Sequence, residues 1–314
     1  MNESITEFEK YHKIKILGDE DNEGIFHNLD DDIIIEEKID GGNFRFMFKG
    51  TELILGSHTR ELDDDNPNCK TFRRCMEFVN EQIFSNIDIT ELKNYEGLIF
   101  YGECCIKHTM DYDWEKIPPY LGFDVKNMDT GKYLDYDMKL KLFQELGLPT
   151  VPLIKSCKAK DIVAMTDDNV PISVYASPSA TDTQAEGVVM KNYKEQKFAK
   201  FVREKFKETN RAVFGMSKKS ARQEGDSELL IATYCTNARL DKIIFKLIDE
   251  GYKLEMPLMH ILPKRVMEDI YEENWKEICW SNWSINFKTL RQKIPKRCMA
   301  VLKQMITNQE LMKK

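Results

Sequence analysis

The chain has no uninterrupted apolar stretch near the roughly 20 residues that a membrane helix needs, so no membrane partner is expected. Its first residues lack a basic-then-apolar leader pattern, which makes a cytoplasmic or other intracellular compartment the expectation. The cysteines contain no CxxC spacing, and only Cys104 and Cys105 are adjacent. That pattern suggests neither a zinc site nor a secreted disulfide framework. No internal repeat or low-complexity tract is present.

What is present is a globular composition, 42% hydrophobic and 32% charged over 314 residues. That length allows one large or two medium domains. The net charge of −7 is unevenly spread. From Asn210 to Lys314 there are 19 basic and 13 acidic residues, whereas the rest of the chain carries an acidic excess of 13. Such an asymmetry is a reason to look for a polyanionic partner.

The first two-thirds reads as strands with a few helices. Ile33-Ile34-Ile35 is followed by a glycine turn at Gly41-Gly42, then by Phe44, Phe46 and Phe48 in alternation. Strands are expected over 51–57, 98–106, 120–125, 187–190 and 197–202, with helices over 72–84 and 136–146. Beyond Glu208 the apolar spacing turns helical, over 229–249, 264–275 and 287–306. The polar stretch 206–226, with Lys218-Lys219-Ser220, marks the boundary. The tryptophans Trp275, Trp280 and Trp283 are expected to pack inside the helical domain.

The feature richest in chemistry is Glu37-Lys38-Ile39-Asp40-Gly41-Gly42-Asn43, between two strands. A lysine opening a glycine turn can be partly desolvated, which lowers its pKa and frees a neutral amine for attack. The glycines let backbone approach a phosphate closely. Then come Tyr101-Gly102-Glu103, Leu121-Gly122-Phe123-Asp124-Val125, Glu186-Gly187-Val188-Val189-Met190-Lys191 and Lys197-Phe198-Ala199-Lys200-Phe201-Val202. A nucleophile, three acidic groups, an aromatic ring and further cations suit chemistry on a metal-bound nucleotide. Lys191 is read as a phosphate contact of that nucleotide, with a solvated strand end as the alternative. His108 is read as a loop histidine without a role.

This ordered set resembles the covalent nucleotidyltransferases, which include RNA and DNA ligases and mRNA capping enzymes. The resemblance covers roughly residues 33–208. It is most similar to the ATP-dependent RNA ligases of the RNA ligase 2-like group, because the lysine motif closes on Asn43 and opens on Glu37. The resemblance implies an α+β fold: a mainly antiparallel-sheet nucleotidyltransferase (ATP-grasp-like ligase) domain over 1–209, with a smaller C-terminal helical domain over 210–314. DNA ligases and capping enzymes usually continue into an OB-fold of short strands, and the helical texture here differs from that.

The resemblance also implies roles. Lys38 would attack the α-phosphate of ATP and hold AMP. Asp40 and Glu186 would orient water around Mg2+, for which Mn2+ can substitute. Asn43 would lie near the α-phosphate, Glu103 would bind the ribose, and Phe123 would stack on adenine. Glu37 and Ile39 would line the adenine pocket, and Arg60 would touch AMP or the RNA end. Lys200 would contact the α-phosphate and help pyrophosphate leave. The last motif usually carries two lysines. Here Phe201 and Val202 follow Lys200, and Lys197, Arg203 and Lys205 are the alternatives for the second.

The implied activity is joining of a 3′-OH RNA end to a 5′-phosphate end, in RNA repair, by a monomer. Its partners would be RNA ends, including nicked duplex RNA or an RNA–DNA hybrid, with the helical domain binding RNA. The alternatives are a DNA ligase or capping guanylyltransferase and, from another class, a non-catalytic RNA-binding protein with a decayed ligase domain.

Overall fold

The computed structural model describes residues 8–63, 71–106, 110–206, 225–281 and 283–311. His108 and the polar connection with Lys218-Lys219-Ser220 lie outside the described residues. The chain divides into two compact units, Met1–Arg203 and Glu204–Lys314.

In the first unit, β-rich sequence becomes two sheets. Sheet A is ordered β1-β11-β10-β2-β9, from Lys15–Ile16 (β1), Lys197–Val202 (β11), Gly187–Asn192 (β10), Asp32–Lys38 (β2) and Leu153–Lys158 (β9). Sheet B is ordered β5-β4-β3-β6-β7-β8, from Glu61–Leu62 (β5), Glu52–Ser57 (β4), Gly42–Lys49 (β3), Leu98–Cys104 (β6), Tyr120–Asn127 (β7) and Lys132–Tyr133 (β8). All neighbours are antiparallel except β1 with β11.

The Gly41-Gly42 turn is therefore not a hairpin: β2 and β3 belong to different sheets, and Ile39-Asp40-Gly41 is the joint between them. A Cβ on Gly41 would collide with the Cys104 carbonyl and press on the Glu103 side chain. The glycine is required there by the end of β6, whatever ligand the turn meets.

Strand alternation assigns the faces. On sheet B, Phe44, Phe46, Phe48, Phe100 and Tyr120 point into a core closed by Arg73–Asn86 (α1) and Tyr136–Glu145 (α2). Full burial of each such ring contributes about 1.5–3 kcal/mol. The α2 helix starts on an Asp135 cap that accepts from Met138 N, and the chain leaves it through Gly147 at φ 69°. On sheet A, Ile33, Ile35, Val188, Met190 and Ala199 form a separate core with Ile25 and Ala159. The opposite face of sheet B carries a further apolar cluster of Met47, Ile99 and Tyr101 with Tyr11, next to the polar residues described below.

The second unit is helical: Asp226–Tyr234 (α3), Asn237–Asp249 (α4), Leu262–Trp280 (α5) and Phe287–Leu311 (α6). One helix expected over 229–249 is two, broken at Cys235 because Thr236 caps the next helix by accepting from Arg239 N. Leu240, Ile244, Val266, Ile270, Leu290, Ile294 and Cys298 are among the residues of its core. The tryptophans depart from expectation. Trp283 packs on this core against Tyr234, but Trp275 is 52% exposed and Trp280, the last residue of α5, is 87% exposed. Ile278, two residues before Trp280, anchors the helix end in the core, and the ring beyond it faces water.

Candidate active site

Lys38 is the last residue of β2 and pairs in register with Gly187, the first of β10. That register sets Glu186 beside Lys38, and the ammonium donates to Glu186 Oε2 at 2.6 Å. Gly187 permits the arrangement, since a Cβ there would run into the Phe201 carbonyl on β11. On β11, Lys200 pairs with Val189, two residues along from Gly187 and therefore on the same face; its charge is felt by Glu186.

Across the joint, Asn43 of β3 and Glu103 of β6 are direct partners in the register of sheet B. Glu103 acts on Lys38 through charge. The Asn43 Oδ1 atom is buried without a hydrogen-bond partner among the described residues. Asp40 sits in the joint, 7% exposed, with Oδ2 accepting from Met110 N at 2.8 Å. Its own N–H donates to the Tyr112 hydroxyl at 2.8 Å. Tyr112 is fully buried and was not singled out from the sequence, where nothing distinguishes it from an ordinary core aromatic. Arg60 ends a turn whose Ser57 pairs with Phe44, next to Asn43, so this turn lies at the joint end of sheet B.

The electrostatics overturn one expectation. Burial works to lower the Lys38 pKa, but the charges of Glu186 and Glu103 outweigh it, and the net direction is upward. Burial pushes the Glu103 carboxyl up to about 8, against the pull of Lys38, with Glu186 and Asp40 adding to the rise. Glu186 is also raised: burial outweighs its ion pair with Lys38. Glu103, pushed up to about 8, is largely protonated at neutral pH, so Lys38 and, at longer range, Lys200 act chiefly on Glu186.

Among the described residues no three His, Cys, Asp or Glu side chains converge to hold a metal ion directly. The donor set still fits Mg2+, which prefers oxygen, keeps several waters and is commonly bound through one or two carboxylates plus phosphate. Asp40 and Glu186 are the residues that would hold it, through water, and their negative charge favours a cation there.

Not every expected residue joins this cluster. The carboxyl of Glu37 points away, on the face opposite Lys38, toward Ser173 and Val174; burial raises its pKa, and Oε1 has no partner among the described residues. Ile39 is buried beside it. Of the alternatives for the second lysine, Arg203 is committed to Asp182, Gln184 and the Ala185 carbonyl, and Lys197 donates to the Glu23 carbonyl. Lys191 is no surface phosphate contact: it is 2% exposed and held by Glu36 at 2.7 Å and Asp124 at 2.9 Å. The reason is its register, which turns the side chain inward between the sheets. Phe123 stands at a bulge, passed over between the pairs Tyr101–Asp124 and Gly102–Gly122, and it stays partly exposed.

The model of the RNA ligase family matches residues 31–207. No curated protein matches the chain. Among solved structures, the chain is similar to a Naegleria gruberi RNA ligase with PPi, at 16% identity and TM-score 0.46, over 62% of this chain and 56% of that one. It is also similar to an archaeal ATP-dependent RNA ligase, at 18% identity and TM-score 0.45, over 66% of this chain and 52% of that one. The chain spans about half the length of these structures.

Proposed function

The chain belongs to the RNA ligase family, and from that premise we propose that it is an ATP-dependent RNA ligase that seals 3′-OH and 5′-phosphate RNA ends through a lysyl-AMP intermediate. The observation that carries this reading is Lys38, a buried-edge amine at the joint of two sheets, ringed by Glu186, Glu103 and Asp40.

The proposed chemistry has three steps. Lys38 Nζ, once deprotonated, attacks the α-phosphorus of ATP; the phosphorus–nitrogen bond forms as the bond to pyrophosphate breaks. The 5′-phosphate of RNA then displaces Lys38 and takes AMP. The 3′-OH attacks that activated phosphate, and AMP leaves.

A divalent cation, Mg2+ or Mn2+, would supply charge neutralisation at the phosphates. The chain's own residues do the rest. Asp40 and Glu186 would hold that cation through water. Glu186 also holds the amine in line until its proton is lost. Lys200 lies on the same sheet face and balances the leaving pyrophosphate. Glu103 and Asn43, side by side on sheet B, meet the ribose and the α-phosphate. Phe123 stacks on the base, and Arg60 at the joint touches AMP or the RNA end.

We assign residues 1–209 to this adenylylation chemistry and 210–314 to gripping RNA. On α6, Lys288, Arg291, Lys296 and Lys303 are exposed, with no ion pair among the described residues, and 284–304 contains no acidic residue. Lys296 and Lys303 are seven residues apart and so share a face of the helix. Cations spaced along one helix suit a phosphate backbone, and the exposed Trp280 offers a stacking surface. An intracellular monomer acting in RNA repair fits this reading.

The test is incubation with labelled ATP or GTP, followed by nicked RNA, nicked DNA and single-stranded RNA. Labelling by ATP and sealing of RNA support the proposal. Labelling by GTP alone, or sealing of DNA alone, contradicts it.

A further inference from the structure

Behind the candidate site lies a second set of charges that the proposed chemistry does not use. Lys191 Nζ reaches Glu36 Oε2 at 2.7 Å and Asp124 Oδ2 at 2.9 Å, and donates to the Phe123 carbonyl at 2.8 Å. The other oxygen of Glu36 accepts from Lys139 of α2. Asp124 accepts from Tyr11 at 2.5 Å and from Tyr193 at 2.7 Å. Glu36, Asp124, Lys139 and Lys191 are each 2% exposed or less. Two carboxylates and two ammonium groups balance, so the set is neutral as a whole.

Its position is what gives it meaning. Glu36 and Lys38 alternate onto the same face of β2, and Lys191 pairs with Ile34 on that face. Asp124 and Phe123 belong to sheet B. The network therefore ties the strand that ends in the amine to the strand that carries the partly exposed ring. Lys191 is also 5.7 Å from the centre of the Phe123 ring, with Phe198 and Tyr193 at 5.8 and 5.9 Å. One ammonium thus meets both the backbone and the ring of the same aromatic residue, and Tyr11, which donates to Asp124 of the same network, packs edge-on to that ring at 4.8 Å between centres. Since Phe123 is the residue passed over at a bulge, the ladder alone does not fix its direction.

We propose that Lys191 is a positioning residue: it holds Phe123 of sheet B at a set distance from Lys38 of sheet A, and so determines how tightly the nucleotide base is bound. This rests on the reading of Phe123 as the base contact given above. A purely structural role would instead loosen the base and the phosphates of a nucleotide alike.

The experiment is calorimetry on the full chain in metal-free buffer, where no adduct forms, with ATP and with inorganic tripolyphosphate as probes. Lys191→Met should weaken ATP roughly tenfold and leave tripolyphosphate within about threefold. Tyr193→Phe keeps both ion pairs and removes one hydrogen bond to Asp124; it should weaken ATP about threefold, again without affecting tripolyphosphate. If Lys191→Met does not fold, Tyr193→Phe and Lys191→Arg carry the same comparison. Equal losses for both probes, or no loss for ATP, overturn the inference, as does a wild-type chain that fails to bind ATP. A wild-type chain that binds ATP but forms no labelled adduct with a divalent metal present overturns the proposed function instead, and the binding comparison still decides the role of Lys191.

Discussion

The Lys38 ammonium donates to the Glu186 carboxylate at 2.6 Å, although 148 residues separate the two in the chain. The amine proposed to attack is thus held in its protonated form by the residue proposed to help it. Removing that carboxylate should lower the Lys38 pKa. In Glu186→Gln, single-turnover adduct formation should reach its half-maximal rate about one pH unit or more below wild type. Its plateau should fall about tenfold or more, because in the proposed mechanism the carboxylate also orients metal-bound water. Rates with labelled ATP from about pH 7 to about pH 11, a range that passes the ordinary lysine value, check both, and an unshifted profile contradicts Glu186 as the main partner.

Glu103 gives a stability prediction of definite sign. Its folded pKa is about 8, above the ordinary carboxylate value, with burial as the main cause. A group raised in this way contributes stability at low pH that is lost as the pH rises through about 8. Glu103→Gln should therefore melt above wild type at pH 8.5 by about 2–6 °C. The gap should close toward pH 5. Thermal melts across that range without nucleotide are the check; a variant that melts below wild type at pH 8.5 contradicts the account.

Tyr112 supports Asp40 from a segment that no motif covers. In Tyr112→Phe the Asp40 N–H loses its acceptor in a buried setting, a cost of about 1–3 kcal/mol. The half-saturating Mg2+ concentration for adduct formation should rise severalfold, and excess metal should restore part of the rate. A metal titration that superimposes on wild type would show that Asp40 is held without the hydroxyl.

Lys139 is wholly buried against Glu36, and burial lowers its pKa. Removing one partner of a buried pair typically costs about 3–5 kcal/mol, because the other charge is left without compensation. Lys139→Ala should lose about that much in denaturant unfolding. A loss below about 1 kcal/mol would mean that Glu36 is neutralised by Lys191 alone.

On the second unit, exchanging Lys288, Lys296 and Lys303 together for Gln should reduce the salt dependence of duplex RNA binding by about 2–3 units of log-log slope. Trp280→Ala should weaken single-stranded RNA by about tenfold. Filter binding across a range of salt tests both; an unchanged slope would leave α6 as a solvated helix face.

Much of this was legible in the sequence because the signals were local. Alternation marks β3 and β11, Gly147 ends α2, and the ordered motifs name Lys38, Glu103 and Glu186, which the two sheets bring within reach of one another. What stayed hidden depends on contacts across the chain. No local pattern tells that β2 and β3 lie in separate sheets, since a glycine turn between strands usually reads as a hairpin. Lys191 reads as a phosphate ligand from its motif, yet its register turns it onto Glu36 and Asp124, which only the pairing of β10 with β2 reveals. Tyr112 has no motif at all. The Lys38 pKa could not be read either: its direction depends on carboxylates contributed by two distant strands.

The central claim is that Lys38 is the nucleophile, and mass spectrometry of the digested protein tests it most directly. After incubation with ATP and Mg2+, the account predicts a peptide heavier by one AMP, with the modification on Lys38 and acid-labile as a phosphoramide. It predicts no adduct in Lys38→Ala or Lys38→Arg, the latter because a guanidinium stays protonated. Lys38→Ala should still seal RNA that already carries a 5′-adenylate. An AMP adduct on another residue, or one persisting in Lys38→Ala, would contradict the account.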